Sequence, residues 1–168
     1  MKIRKDKLIA FLREVDKELG SDIKLVAVGG TAMTLLGIKP STVDIDFEGS
    51  SEDVETFRKA LSIVPHGFRI DIFENGMIFS QQLPGDYSRR SVHVMDFGRI
   101  RLYALHPLDI VVTKIGRLDE RDMQDIEDCI KKFGLKKEDI KKRAGMVGYA
   151  GSEEVYKSNL KIVLERFF

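Results

Sequence analysis

The sequence is short of the features that mark several protein classes outright. It has one cysteine, Cys129, and no tryptophan. A single thiol excludes an internal disulfide and any multi-cysteine metal cage. It suits a reducing compartment, so a cytoplasmic location is expected. Three histidines, His66, His93 and His106, have no metal-ligand spacing among themselves. They fit surface or capping roles, with His106 directly before Pro107 at a helix start. No run approaches the 18 apolar residues of a membrane span, and the charged opening MKIRKDKLIAFLREV lacks the apolar centre of a secretory leader. An excess of one charge is lacking too. Against 28 Lys and Arg stand 27 Asp and Glu, a net charge of +1, so attraction to a polyanion would have to come from a local patch. Neither GxSxG, HExxH, CxxC, GxGxxG nor GxxxxGK[ST] occurs, which leaves hydrolase, zinc, Rossmann and P-loop readings without support.

What is present is enough apolar material for a sizeable core. The chain has 168 residues, 43% hydrophobic and 33% charged, and a single domain is expected. Residues 3–19 place Ile3, Leu8, Phe11, Leu12, Val15 and Leu19 at helical spacing, with Gly20 as a stop. A strand over 23–28 leads into a short helix over 30–36 that ends at Gly37, and Pro40 bars its continuation. A second strand is predicted over 43–47, with Val43, Ile45 and Phe47 inward. Ser50 or Ser51 then caps a helix to about residue 63. GFRIDIF (67–73) reads as a third strand, ended by the Asn75-Gly76 turn. Residues 77–90 are ambiguous, while 91–97 and 100–105 read as a hairpin joined at Gly98-Arg99. After Pro107 the periodicity is helical throughout. The expected fold is α+β: a mixed sheet packed with helices to about residue 105, followed by a helical part over 106–168 in the same unit.

The stretch VAVGGTAMTLLGIKPSTVDIDF (26–47) carries the chemistry. Gly29-Gly30 at a strand-to-helix junction can be a tight turn, or a place where missing side chains let a phosphate approach backbone amides. Asp44 and Asp46 alternate with apolar residues, so they share one face of their strand. Asp71, again flanked by strand apolars, would join them if its strand is the neighbour. Three carboxylates brought together repel one another, and a hard cation such as Mg²⁺ with oxygen ligands removes that cost. Two such ions could clamp an attacking hydroxyl and a leaving phosphate oxygen.

Gly29-Gly30 followed by Asp44-Ile45-Asp46, with Asp71 on a later strand, resembles the signature of the DNA polymerase β-type nucleotidyltransferase superfamily. Over roughly residues 25–130 the chain is most similar to the small AbiEii/MenT-like nucleotidyltransferases, which include toxins of toxin–antitoxin pairs. The resemblance implies a nucleotidyltransferase-like fold and transfer of a nucleoside monophosphate from a nucleoside triphosphate to an acceptor hydroxyl on RNA or protein. It implies Mg²⁺ or Mn²⁺ on Asp44, Asp46 and Asp71, a cognate partner protein, and no membrane. Gly29, Gly30, Thr31 and Thr42 would cradle the triphosphate, with Thr31 standing where many members carry serine. Lys114, in Leu108-Asp109-Ile110-Val111-Val112-Thr113-Lys114, would match a family lysine, and Arg121-Asp122-x-x-Asp125 a late R-D-x-x-D element. On this pattern Lys114 meets the triphosphate while Asp122 or Asp125 positions it.

From the residues alone, Lys114 among Val111, Val112 and Ile115 can equally snorkel. Asp122 and Asp125 border a stripe of Met123, Ile126, Ile130 and Phe133 and can form a purely structural pair with Lys114, Arg117 or Arg121. The segment 131–143 has seven basic and two acidic residues and reads as a solvated helix face or as an RNA-backbone contact. Two rivals to an enzyme stay open. One is a nucleotide-sensing or antitoxin-like interaction protein of the same fold. The other is an RNA-binding module that needs no metal.

Overall fold

The alternating stretches assemble into one mixed sheet. The structure, a computed structural model, describes residues 1–168 and divides into two compact units, residues 1–75 with 91–105, and residues 76–90 with 106–168. The first unit holds β1 (Ile3–Arg4), α1 (Lys5–Lys17), β2 (Ile23–Ala27), α2 (Gly29–Leu35), β3 (Ser41–Thr42), β4 (Ile45–Gly49), α3 (Ser51–Leu61) and β5 (Ile70–Glu74). The chain passes through β6 (Met77–Ile78), β7 (Gln81–Gln82) and α4 (Tyr87–Arg90) of the second unit, then returns as β8 (Val92–Asp96) and β9 (Ile100–Ala104). The rest of the second unit is α5 (Pro107–Lys114), α6 (Glu120–Phe133), α7 (Lys137–Ala144), β10 (Gly148–Tyr149) and α8 (Glu153–Phe167). The fold is α+β, and its last helices are C-terminal. No helix is long and apolar enough to cross a membrane.

In the first unit the sheet order is β5-β4-β2-β9-β8. β4 runs antiparallel to β2 and parallel to β5, β9 runs parallel to β2, and β8 closes the hairpin antiparallel to β9. Leu25, Ile45, Phe47 and Leu102 are fully buried, as are Leu8, Leu12 and Val15 of α1. Phe57 of α3 meets Phe47 edge-on, with ring centroids 5.7 Å apart. The hairpin turn is tied down at a distance in sequence. Both oxygens of Asp16 on α1 accept backbone N–H bonds, from Gly98 at 3.0 Å, Arg99 at 2.8 Å and Ile100 at 2.9 Å. Ser50 rather than Ser51 caps α3, its hydroxyl accepting from the Asp53 N–H.

Two expectations are corrected. Val43 is not an inward strand residue: it is exposed and lies in a bend before β4. The hydroxyls of Thr31 and Thr42 both donate to the Asp44 carbonyl, so that acceptor serves side chains instead of a strand ladder. Phe133 is not core either. It is exposed at the last turn of α6, where Gly134 takes the left-handed conformation, φ 62°, that ends the helix. The buried stripe of α6 is instead Asp122, Asp125, Ile126 and Cys129.

The second unit is organised around α5, all eight residues of which are buried. His106 caps it, its Nδ1 accepting the Leu108 N–H at 3.1 Å. Burial and the nearby Arg90 and Arg143 charges hold that imidazole below its ordinary range, against the opposing pull of Asp109. Tyr156 of α8 donates to the Val112 carbonyl at 2.7 Å, and Asn159 to that of Ile115 at 2.8 Å. Asp109, an acid in an otherwise apolar run, is matched by Arg143 of α7 through a fork of two bonds, 2.6 and 3.0 Å long. The third guanidinium nitrogen reaches Asp86 at 2.9 Å.

A buried pair of this kind is costly to break from one side. Arg143→Met strands the Asp109 carboxylate and is expected to cost about 3–5 kcal/mol in urea unfolding, whereas Arg143→Met with Asp109→Leu should recover most of that loss. Equal destabilisation by the single and double variants would show that the helix contact, not the charge, is what matters.

Candidate functional site

The register of β4 against β5 places Asp46 directly opposite Asp71 on parallel neighbours. Opposed residues of a parallel pair point to the same face, about 4.8 Å apart. Ile45 and Phe47, paired with Ile70 and Ile72, point to the other. Asp46 is 9% exposed and the Asp71 side chain 42%. Arg69 lies 3.5 Å from Asp71, but it is exposed and such pairs contribute little. Asp44 stands outside the strand, in the bend that precedes it. Glu48, buried and two residues beyond Asp46 on the same face of β4, was not anticipated. Its signal was the continuing alternation in Asp-Ile-Asp-Phe-Glu.

Thr31 fastens the diglycine turn to this strand. Its hydroxyl donates to the Asp44 carbonyl at 3.1 Å and accepts the Asp46 N–H at 2.9 Å. The Asp46 carbonyl in turn accepts from the Val28 N–H at 3.1 Å. Gly29 has φ 53°, a conformation glycine adopts without strain. Gly30 is required for a different reason. A Cβ there would stand 2.8 Å from the Thr42 hydroxyl and 3.2 Å from the Lys39 amine. The bare Gly30 backbone, Thr42 and Lys39 therefore form one close-packed corner. Lys39 is a second group that periodicity did not single out, because it lies in the irregular stretch between α2 and β3.

No three His, Cys, Asp or Glu side chains are gathered as a metal cage would need. Mg²⁺ does not demand one: it is commonly held by one or two carboxylates, with water and substrate phosphates completing the shell. The in-register Asp46/Asp71 pair supplies hard oxygen donors of that kind, and the donor set fits a divalent cation bound together with a phosphorylated substrate.

In the second unit, Lys114, Asp122 and Asp125 come together. The Lys114 amine is 3.0 Å from Asp125 and 3.4 Å from Asp122, and its side chain is 3% exposed. Asp122 also receives Arg117, at 2.8 Å from Nε and 2.7 Å from the terminal nitrogen. It shares a reciprocal capping box with Asp119 at the start of α6. Burial pushes the Asp122 carboxyl up, but the Arg117 hydrogen bond and the Lys114 and Arg117 charges outweigh it and hold the group below its ordinary value. The guanidinium of Arg117 also lies 4.8 Å from the Phe79 ring. Of the predicted late residues, Arg121 alone stays outside this cluster and is exposed.

Among families of known proteins, the model described as "Nucleotidyltransferase of unknown function (DUF6036)" matches residues 6–162. No curated protein matches the chain.

The Asp122 cluster sets an expectation for acid stability. A carboxyl lowered in the folded state adds stability above its unfolded value, ordinarily 3.8, and that stability is lost as pH falls through the folded value. Asp122→Asn is therefore expected to be less stable at neutral pH and to lose less on acidification below about pH 4. Urea midpoints of both proteins at pH 7, 4 and 3 check this, and parallel acid limbs would contradict it.

Proposed function

Because the chain belongs to this nucleotidyltransferase family, shown by a match over residues 6–162, we propose that it moves a nucleoside monophosphate from a nucleoside triphosphate to an acceptor hydroxyl in a metal-dependent reaction. The observation that carries the reading is the opposition of Asp46 and Asp71 across β4 and β5. Two carboxylates held face to face supply paired hard oxygen donors, and a divalent cation between them removes their mutual repulsion. In this reading Asp46 and Asp71, with Asp44 from the preceding bend, hold Mg²⁺ or Mn²⁺. The metal, when bound, neutralises phosphate charge and lowers the pKa of the acceptor hydroxyl.

The chain's own groups do the rest. In this reading the Gly29-Gly30 turn cradles the triphosphate, and Thr31 fastens that turn to Asp44 and Asp46. Thr42, whose hydroxyl proton is held by the Asp44 carbonyl, and Lys39 pack at Gly30 and shape the corner beside the triphosphate. Phosphoryl transfer asks mainly for such positioning and charge. Lys114 is assigned to phosphate charge on the pattern of the resembled AbiEii/MenT-like proteins, with Asp122 and Asp125 orienting its amine. A role beside a cognate partner protein in a toxin–antitoxin pair belongs to the same proposal.

Pyrophosphate release from each of the four nucleoside triphosphates, with Mg²⁺ or Mn²⁺ and cell extract as acceptor source, tests the reading. Asp46→Asn and Asp71→Asn are each expected to cut release about a hundredfold or more, since several kcal/mol of transition-state stabilisation go with the ligand. Without metal, Asp46→Asn should melt no earlier than the parent, because removing one acid relieves repulsion. An Asp46→Asn protein that melts much earlier yet releases pyrophosphate at the parental rate would make Asp46 scaffold and refute the mechanism.

A further inference from the structure

The near-neutral chain keeps a strongly positive face at its start. Residues 2–13 contain Lys2, Arg4, Lys5, Lys7 and Arg13 against the single acid Asp6, and all six are exposed. On α3, α6 and α8 some lysines are matched by carboxylates one turn away, as in Lys59–Glu55, Lys131–Glu127 and Lys157–Glu153. On α1 the last-turn Lys17 follows that rule with Glu14 at 3.1 Å. Lys2, Arg4, Lys5 and Arg13 form no ion pair. The one nearby carboxylate, Asp6, accepts the Lys7 backbone N–H at 2.9 Å.

These cations edge a groove of about 580 Å³ lined by Arg4, Lys5, Arg13, Ile9, Ala10 and Pro40, with Asp6 as its one acid. A second hollow of about 430 Å³ shares Arg4, Asp6 and Ala10 and extends the basic edge to Lys2 and Lys7. From Lys5 to Arg13 the helix rises about 12 Å, long enough to follow more than one phosphate of a strand. The groove is also coupled to the candidate site. β1 pairs with β3 so that Arg4 faces Ser41 and Ile3 faces Thr42, and the Thr42 hydroxyl bonds the Asp44 carbonyl at 2.8 Å.

The segment 131–143 differs in two of its seven cations: Arg143 is buried on Asp109 and Asp86, and Lys131 is paired with Glu127. Lys132, Lys136, Lys137, Lys141 and Lys142 stay exposed, with the acids Glu138 and Asp139 among them.

We propose that the α1 groove binds the phosphodiester backbone of a nucleic-acid strand, and that this strand carries the acceptor hydroxyl. The proposal rests on the nucleotidyl-transfer reading of the Asp46/Asp71 site. Unpaired Lys and Arg along the edges match a phosphate row, and release of its counterions drives binding. The apolar floor of Ile9, Ala10 and Pro40 suits sugar and base faces better than the fully charged surface of an acidic peptide.

The test is fluorescence anisotropy with a labelled 12-nucleotide RNA and the matching DNA, across a salt series, in the full chain. The parent is expected to bind with affinity that falls steeply with salt. Arg4→Gln with Lys5→Gln and Arg13→Gln should weaken binding about tenfold or more and reduce the salt slope by about 2, for three lost phosphate contacts on a single strand. Lys131→Gln with Lys132→Gln serves as the control and should bind like the parent. Melting and the triphosphate-induced thermal shift are read on the same samples, and the triple variant should retain both. Failure of the parent to bind either strand, an unchanged salt slope in the triple variant, or equally tight binding of polyglutamate would overturn the proposal. Asp46→Asn separates the two readings: it should bind the strand like the parent but not modify it. If it still modifies the strand, the catalytic reading fails while the groove stands.

Discussion

The register between β4 and β5 is the constraint on which the rest of the first unit depends. It pairs Ile45 with Ile70 and Phe47 with Ile72 on the core side, and Asp46 with Asp71 on the other. A slip of one residue would turn the apolar set outward and drive an aspartate into the core. Burial of Ile45 and Phe47 therefore holds two mutually repelling carboxylates in place. The favourable term is large and nonpolar, and the unfavourable term is electrostatic and local. The sheet keeps the two acids in register on one face.

The diglycine turn depends on the same strand. Thr31 bonds both the Asp44 carbonyl and the Asp46 N–H, which ties α2 to β4. Gly30 admits the close approach of Thr42 and Lys39. The second unit uses charge in the opposite way. Asp109 meets Arg143, and Lys114 meets Asp122 and Asp125, each acid matched by a base at 2.6–3.4 Å. The second unit cancels its buried charges in close pairs, while the first brings two acids into register on one face of its sheet.

Much of this was legible in the residues because it rests on local periodicity. The strands and the hairpin at Gly98-Arg99 follow from alternation; helical spacing left Lys114, Arg117 and Arg121 open as partners of Asp122 and Asp125, and the family resemblance singled out Lys114. The failures have a common cause. Val43 fits the alternation but is lifted out by the Thr31 and Thr42 hydroxyls, a tertiary effect. Phe133 fits the helical stripe but falls on the turn that Gly134 terminates. Asp109 was read past although an acid in Pro-Leu-Asp-Ile-Val-Val is as anomalous as Lys114, and its partner Arg143 lies 34 residues on. The basic run 131–143 read as a solvated helix face or an RNA contact, and composition could not show that Arg143 is buried on Asp109 and Asp86 and Lys131 paired with Glu127.

The central claim is that Asp46 and Asp71 act jointly on one divalent cation together with a nucleotide. Anomalous diffraction from crystals grown with Mn²⁺ and a non-hydrolysable nucleoside triphosphate analogue measures this directly. The account predicts a manganese peak bonded to both carboxylates and to phosphate oxygens, at roughly 2.0–2.2 Å as expected for small hard divalent cations. Manganese bound to the analogue with Asp71 turned away from it, or ligated elsewhere in the chain, would contradict it.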